Sequence, residues 1–389
     1  MNAILTQLAA VAADPAGAAR AWKQATGGKV VGSFPMHFPA EAVHAAGALP
    51  VILQETEDPI TVGHASIYPF FCGYTRSVVD QAVKNQLDFV DVIMFGDHCV
   101  QVLSAADTIR VRKPEMKVHF YQLIASLKDA WSEDNALTVL RRLTAALEQT
   151  LGVTITEDAL RKSIALFNEN RQLIRHLYRL RRNGEIKLSS MEMQHIVKSS
   201  MVMDKATHNQ LLRQLTQDLQ GSGDGHAGRV PVYLSGHLCQ APKIDVLAMI
   251  EDCGAYVVDD DLYHGWRYVS TDVEPVSDPL RGLARWYINR NWNAPCPTRL
   301  DPKSDWDGWL LKATQDSGAQ GMIVLMAKFC EPHYYYYPRI KKTFESNGLP
   351  HLLVETEHEL VAAGNIRTRV ESFVEMIKRQ SEKSMANAA

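Results

Sequence analysis

The chain reads as an α/β protein: two parallel-sheet domains, Rossmann-like or flavodoxin-like, with a helical insert between them. Three observations predict this. In the first third, short apolar runs alternate with amphipathic helical stretches, the pattern of parallel βαβ units. From about 132 to 220 the apolar spacing is helical only. Beyond about 226 the strand–helix alternation resumes. The expected organisation is N-terminal helices plus a first α/β domain over 1–130, a helical segment over 131–225 and a second α/β domain over 226–389. No short-period repeat is present, and the two α/β halves are candidates for kinship.

Each element has a local cause. Residues 2–26 favour helix with a break at Asp14-Pro15, where Asp caps and Pro suits a first turn. "KVVGSF" (29–34) is a short strand. In "FPAEAVHAAGALPVIL", Pro39 opens a helix, Gly47 closes it, and a strand follows over Pro50–Leu53. "FVDVIMF" (89–95) and "VHFYQL" (118–123) are further strands, with "TRSVVDQAVKNQL" helical before them. The long helical pattern "ITEDALRKSIALFNENRQLIRHLYRLRR" stops at Asn183-Gly184, and Ser189 to Glu192 spells a capping box. "GSGDGHAG" (221–228) is a flexible break. Strands are expected at 230–234, 255–258, 321–326 and 351–355, with helices between and after them.

Composition narrows the function. The 389 residues are 46% hydrophobic and 22% charged, enough to bury ordinary cores. A formal net charge of −3 with no basic run argues against nucleic acid as a partner. The first residues lack a basic segment and soon reach Asp14, so no signal peptide is expected. No apolar run approaches the roughly 18–20 residues of a membrane span. The expectation is a cytoplasmic protein whose six cysteines stay reduced, serving metal or plain burial rather than disulfides.

Three cysteines share one position. Cys99 and Cys330 each follow a predicted strand and start a helix, and Cys72 immediately precedes a helical stretch. Ligands collect beyond the carboxyl ends of parallel strands, and helix N-termini offer free N–H groups and partial positive charge. Both features are expected to favour thiolate over thiol and to suit an anionic metal–sulfur centre. Three cysteines hold a cluster while leaving one iron open. The plainer reading is that free cysteines pack as small apolar residues, and no CxxC pair is present. Cys239 occupies a similar strand-to-helix loop, Cys253 resembles packing, and Cys296 sits in a proline loop with a structural role expected. His98, His237 and His264 are candidate proton donors, with structural histidine the commoner role. "HYYYYP" (333–338) suits either an aromatic pocket wall or an interface. Arg76 and Arg267 are candidates to hold a thioester or phosphate, against the commoner role in ion pairs.

Several segments together, "FPAEAVHAAGALPV" (38–51), "FFCGYTRS" (70–77), "GDHC" (96–99), "DDDLYHGWR" (259–267) and "KFCEP" (328–332), make the chain similar to the 2-hydroxyacyl-CoA dehydratase family. That family also contains the catalytic subunits of ATP-dependent benzoyl-CoA reductase, and the size and wording resemble the smaller of those. The resemblance runs from about 30 to 380 and rests on the order and spacing of the motifs. It implies an iron–sulfur cluster, a [4Fe-4S] form or a larger double-cubane, held by Cys72, Cys99 and Cys330, with Cys239 outside the set. His98 and His264 are the catalytic candidates. It also implies a paralogous second catalytic subunit, two ATP-hydrolysing activator-type subunits, ferredoxin as electron donor and benzoyl-CoA as substrate. No G-x-x-x-x-G-K-[ST] loop occurs, so ATP belongs to those partners. Where many relatives carry an acidic residue after the second cysteine, Val100 stands here. A 2-hydroxyacyl-CoA dehydratase subunit and a metal-free two-domain ligand-binding protein are the competing functions.

Overall fold

The computed structural model describes residues 2–299, 305–359 and 363–388. Helices α1 (Ala3–Ala13) and α2 (Pro15–Thr26) open the chain. The break between them is local chemistry: the Asp14 carboxylate accepts from the Gly17 N–H at 2.8 Å, and Pro15 takes the first helical position. A first α/β unit follows: β1 (Val30–Ser33), α3 (Ala40–Ala45), β2 (Leu49–Ile52), α4 (Gly73–Val83), β3 (Val92–Gly96), α5 (Val100–Arg112) and β4 (Lys117–Tyr121). Four helices come next: α6 (Ser132–Leu151), α7 (Glu157–Arg182), α8 (Ser190–Ser200) and α9 (Lys205–Leu219). The second α/β unit contains β5 (Val230–Gly236), α10 (Ile244–Asp252), β6 (Ala255–Asp260), α11 (Trp266–Val269), α12 (Pro279–Asn293), α13 (Trp306–Asp316), β7 (Gly321–Ala327), α14 (Glu331–Ser346), β8 (His351–Thr356) and α15 (Ala363–Ala388).

All eight strands expected from the sequence are present, and both sheets are parallel throughout. Their orders are β2-β1-β3-β4 and β6-β5-β7-β8, the same arrangement twice. In each sheet the chain leaves the first strand to one side and returns on the other. The crevices that this reversal opens lie at the carboxyl ends of β1 and β3, and of β5 and β7. Strand β3 starts later than its apolar run, because Phe89 and Val90 pack in the turn before it while Asp91 accepts the Val30 N–H at 2.8 Å. The capping box at Ser189 is formed in both directions.

One apolar core runs from the first sheet into the four helices, joining Val31, Ile93 and Val78 to Leu140, Ile174 and Leu177. Two smaller cores cover the second sheet, one around Leu325 and Val370 and one around Trp306 and Phe344. The two α/β units are tied by charge. Arg76 on α4 meets Glu357 at 2.5 Å, and His358 meets Glu55 at 2.5 Å. No helix among the described residues is long and apolar enough to cross a membrane.

Candidate functional site

Cys72, Cys99 and Cys330 are the N-cap residues of α4, α5 and α14. Cys99 and Cys330 hold equivalent places, after the third strands of their sheets. One side chain joins all three loops: the Gln101 Oε1 accepts the Cys72 N–H at 2.8 Å, and its Nε2 donates to the Phe329 carbonyl at 2.6 Å. Gln101 lies two residues after Cys99 and is 3% exposed. Sequence reasoning missed it, because a glutamine in the first turn of a helix carries no local signal of a long-range role.

The thiols gather. Burial, then repulsion from Cys72 and Cys99, raises Cys330, and the same causes with Cys330 added raise Cys239. Cys296 joins their neighbourhood and contacts the Met36 sulfur at 3.9 Å. Cys253 stays apart, on the far side near Arg367. The expectation that helix ends favour thiolate is overturned. Burial pushes Cys99 up to about 12, and it raises Cys72 despite the Thr75 hydroxyl beside that sulfur. Desolvation penalises a thiolate more than a helix end, worth about 0.3–1 kcal/mol, repays. Such thiols become thiolates when a metal supplies the compensating charge and displaces their protons.

Of the histidines, His98 is buried, with Nε2 at 3.0 Å from the Cys239 sulfur and Nδ1 without a partner among the described residues. His237 bonds the Thr356 hydroxyl at 2.6 Å. Both nitrogens of His264, of His37 and of His333 likewise lack partners. Burial pushes His98, His237 and His264 down to about 3, so their rings are neutral. Neither arginine is free for a ligand. Arg76 is spent on the Phe71 carbonyl and Glu357, and Arg267 on Asp261 and the carbonyls of Ala294 and Pro295. The tyrosines of "HYYYYP" do not form one wall. Tyr335 is 87% exposed, Tyr334 bonds Glu355, and Tyr336 bonds Asp307.

The donor set suits an iron–sulfur cluster. Among the described residues no three His, Cys, Asp or Glu side chains are close enough to hold a single metal ion. A cubane asks for something else, since each thiolate binds a different iron and the sulfurs stand apart. Cys72, Cys239 and Cys296 lie in the main apolar core, Cys99 and Cys330 pack against it, and His98 contacts the Cys239 sulfur, so several buried thiols are available as the donors such a cluster takes. A cleft of about 390 Å³ runs from the α1–α2 junction past Lys198, and a smaller one continues it beside Lys243 to His264.

Comparison with known proteins now fixes the class. The family model for 2-hydroxyglutaryl-CoA dehydratase, D-component, matches residues 35–377, and the chain belongs to that family. Its relatives are enzyme subunits. The chain is 26% identical to a benzoyl-CoA reductase subunit of Thauera aromatica over 93% of this chain and 94% of that one. It is 28% identical to lactoyl-CoA dehydratase subunit beta of Anaerotignum propionicum, covering 97% and 99%. With the (R)-phenyllactyl-CoA dehydratase beta subunit of Clostridium sporogenes it shares 24% identity over 90% and 92%.

Proposed function

We propose that the chain is a catalytic iron–sulfur subunit of an ATP-dependent benzoyl-CoA reductase. It works with a paralogous catalytic subunit, two ATP-hydrolysing activator-type subunits and reduced ferredoxin. Two electrons and two protons are added to the aromatic ring of benzoyl-CoA, giving a cyclic dienoyl-CoA. The observation that carries this reading is that Cys72, Cys99 and Cys330, from distant parts of the chain, each cap a helix, and that Gln101, two residues after Cys99, bonds the Cys72 N–H and the Phe329 carbonyl beside Cys330. The similarity to the Thauera aromatica reductase along nearly the whole chain supports the choice of reaction.

When bound, the cluster supplies single electrons at low potential. The residues do the rest. Cys72, Cys99 and Cys330 anchor it, and Gln101 keeps their loops in register. Burial of the surrounding side chains keeps water from the electrons. His98, at Nδ1, and His264, at either ring nitrogen, are assigned to holding the proton that follows each electron, since these atoms are buried and lack partners among the described residues. The cleft past Lys198 and Lys243 is the path assigned to the thioester, because it ends at His264.

Anaerobic co-expression with the partner subunits, followed by iron and acid-labile sulfide analysis, tests the reading. Cys72→Ala, Cys99→Ala and Cys330→Ala each lower bound iron, while Cys253→Ala leaves it unchanged. An iron-free complex overturns the proposal and returns the chain to a metal-free ligand-binding role. The second reading, a 2-hydroxyacyl-CoA dehydratase subunit, is favoured by the comparable identity to the lactoyl-CoA enzyme. Reductant consumption separates the two: the reductase uses it on every turnover, the dehydratase only in catalytic amounts.

A further inference from the structure

We propose that a cavity walled by Glu41, Arg171, Lys205 and Arg290 binds a small oxyanion that keeps one O–H, and that bicarbonate is the anion of that class it takes. The cavity lies outside the cysteine loops, and the proposal stands apart from the iron–sulfur reading.

Three parts of the chain meet there. Glu41 comes from α3 of the first α/β unit, Arg171 from α7 and Lys205 from α9 of the helical segment, and Arg290 from α12 of the second unit. The void leaves about 20 Å³ of room for the centre of a water molecule, so its guest is larger than one water.

The walls hold more positive charge than they pair. Arg171, Lys205 and Arg290 are 6%, 3% and 3% exposed, and Glu41 is the one carboxylate among the described lining residues. Its Oε1 is taken by Arg171. Lys205 donates only to neutral oxygens: the Ser200 carbonyl, the Ser200 hydroxyl at 2.8 Å and the Tyr268 hydroxyl at 3.2 Å. The Arg290 side chain makes one hydrogen bond among the described residues, from Nε to the Arg267 carbonyl at 3.2 Å. Its two terminal nitrogens are left over. Rings lie against that guanidinium, Tyr263 at 5.4 Å and Trp286 at 5.5 Å, and Arg171 is 5.3 Å from the same Trp286 ring. Ring faces offset part of a cation's desolvation and supply no negative charge. A buried cation without an anionic partner is costly. Burial and repulsion from Arg171 pull Lys205 down to about 7, a mark of the same surplus.

A second orphan fixes the kind of anion. Oε2 of Glu41, in a side chain 0% exposed, has no partner among the described residues. A halide or a plain carboxylate is repelled by that oxygen and has no proton to give it. Water satisfies the oxygen but leaves the surplus charge. Bicarbonate meets both demands. Its O–H donates to Glu41 Oε2, and its other two oxygens share the negative charge and accept from Arg290 and Lys205. Bound there, the anion links the helical segment to both α/β units and steadies Tyr263, the residue before His264.

The test uses the complete complex, assembled anaerobically in degassed buffer free of carbonate, and isothermal titration calorimetry. Sodium bicarbonate, sodium chloride and sodium gluconate are added at equal ionic strength. Wild type is expected to bind bicarbonate saturably and neither of the others. In Arg290→Met the bicarbonate affinity falls by about tenfold or more, the loss of charge-assisted hydrogen bonds. In Glu41→Gln chloride binding appears, because an amide N–H donor replaces a repelling oxygen. Wild type without saturable bicarbonate binding overturns the proposal. So does equal binding by Arg290→Met, which puts the anion elsewhere in the complex, and so does wild-type chloride binding as tight as bicarbonate. Should Arg290→Met fail to assemble, Glu41→Gln decides: a gain of chloride binding supports the site, and its absence overturns it.

Discussion

Replacing Gln101 with leucine asks whether one amide holds three cysteine loops together. Leucine keeps much of the volume and removes both hydrogen bonds. The Cys72 N–H, buried at an N-cap, then has no acceptor, at a cost of about 1–3 kcal/mol. The Phe329 carbonyl loses its donor, but Phe329 is 38% exposed and water can replace it, so about 0.5–1.5 kcal/mol goes there. The sum is roughly 1.5–4.5 kcal/mol. Hydrogen exchange at the Cys72 amide reads the first part directly and should quicken by about tenfold or more, since 1.4 kcal/mol is a factor of ten. Urea unfolding reads the total. Gln101→Glu separates the bonds, because a carboxylate still accepts from Cys72 but cannot donate to Phe329. Unchanged exchange at Cys72 in Gln101→Leu, with an unchanged urea midpoint, would refute the strut.

Other outcomes follow from the same contacts. Arg267→Met, which strands Asp261 in a pair where both side chains are 1% exposed, should destabilise by about 3–5 kcal/mol in urea; a loss below about 1 kcal/mol contradicts the account. Gly236→Ala should cost more than about 3 kcal/mol or abolish soluble protein, because its Cβ meets backbone rather than a movable side chain. The His358–Glu55 tie should depend on pH. Burial by itself lowers His358, but the carboxylate at 2.5 Å outweighs it and holds the imidazole above its usual value. A raised folded value means that the contribution is whole below the unfolded pKa near 6.5 and fades as pH rises through the folded one. The stability gap between wild type and His358→Gln should therefore be widest near about pH 6 and shrink by about pH 9; a gap constant with pH sinks this assignment.

Much of the fold was legible without coordinates. The break at Asp14-Pro15, the capping box at Ser189 and all eight strands came from signals a few residues long. The position of Cys72, Cys99 and Cys330 at helix starts was legible for the same reason. The charge state of those thiols was not. A helix start is visible in sequence, but the burial that outweighs it belongs to neighbours far away in the chain. For Arg76 and Arg267 the ion pair was the commoner expectation and is what forms, but Glu357 and the Ala294 and Pro295 carbonyls lie too far along the chain to be named as partners from sequence.

By itself, then, the amino-acid order determined the local elements, their alternation and the parallel α/β class, since periodicity and capping act within a turn or a strand. Only the tertiary structure decided that both sheets share one strand order, that Gln101 bridges three loops, and that Cys239 faces His98 from the other unit. Those facts depend on how sheets pack and which loops meet. The energies that choose among such meetings come from burial and from satisfying polar groups across the whole molecule, and no short stretch of chain contains them.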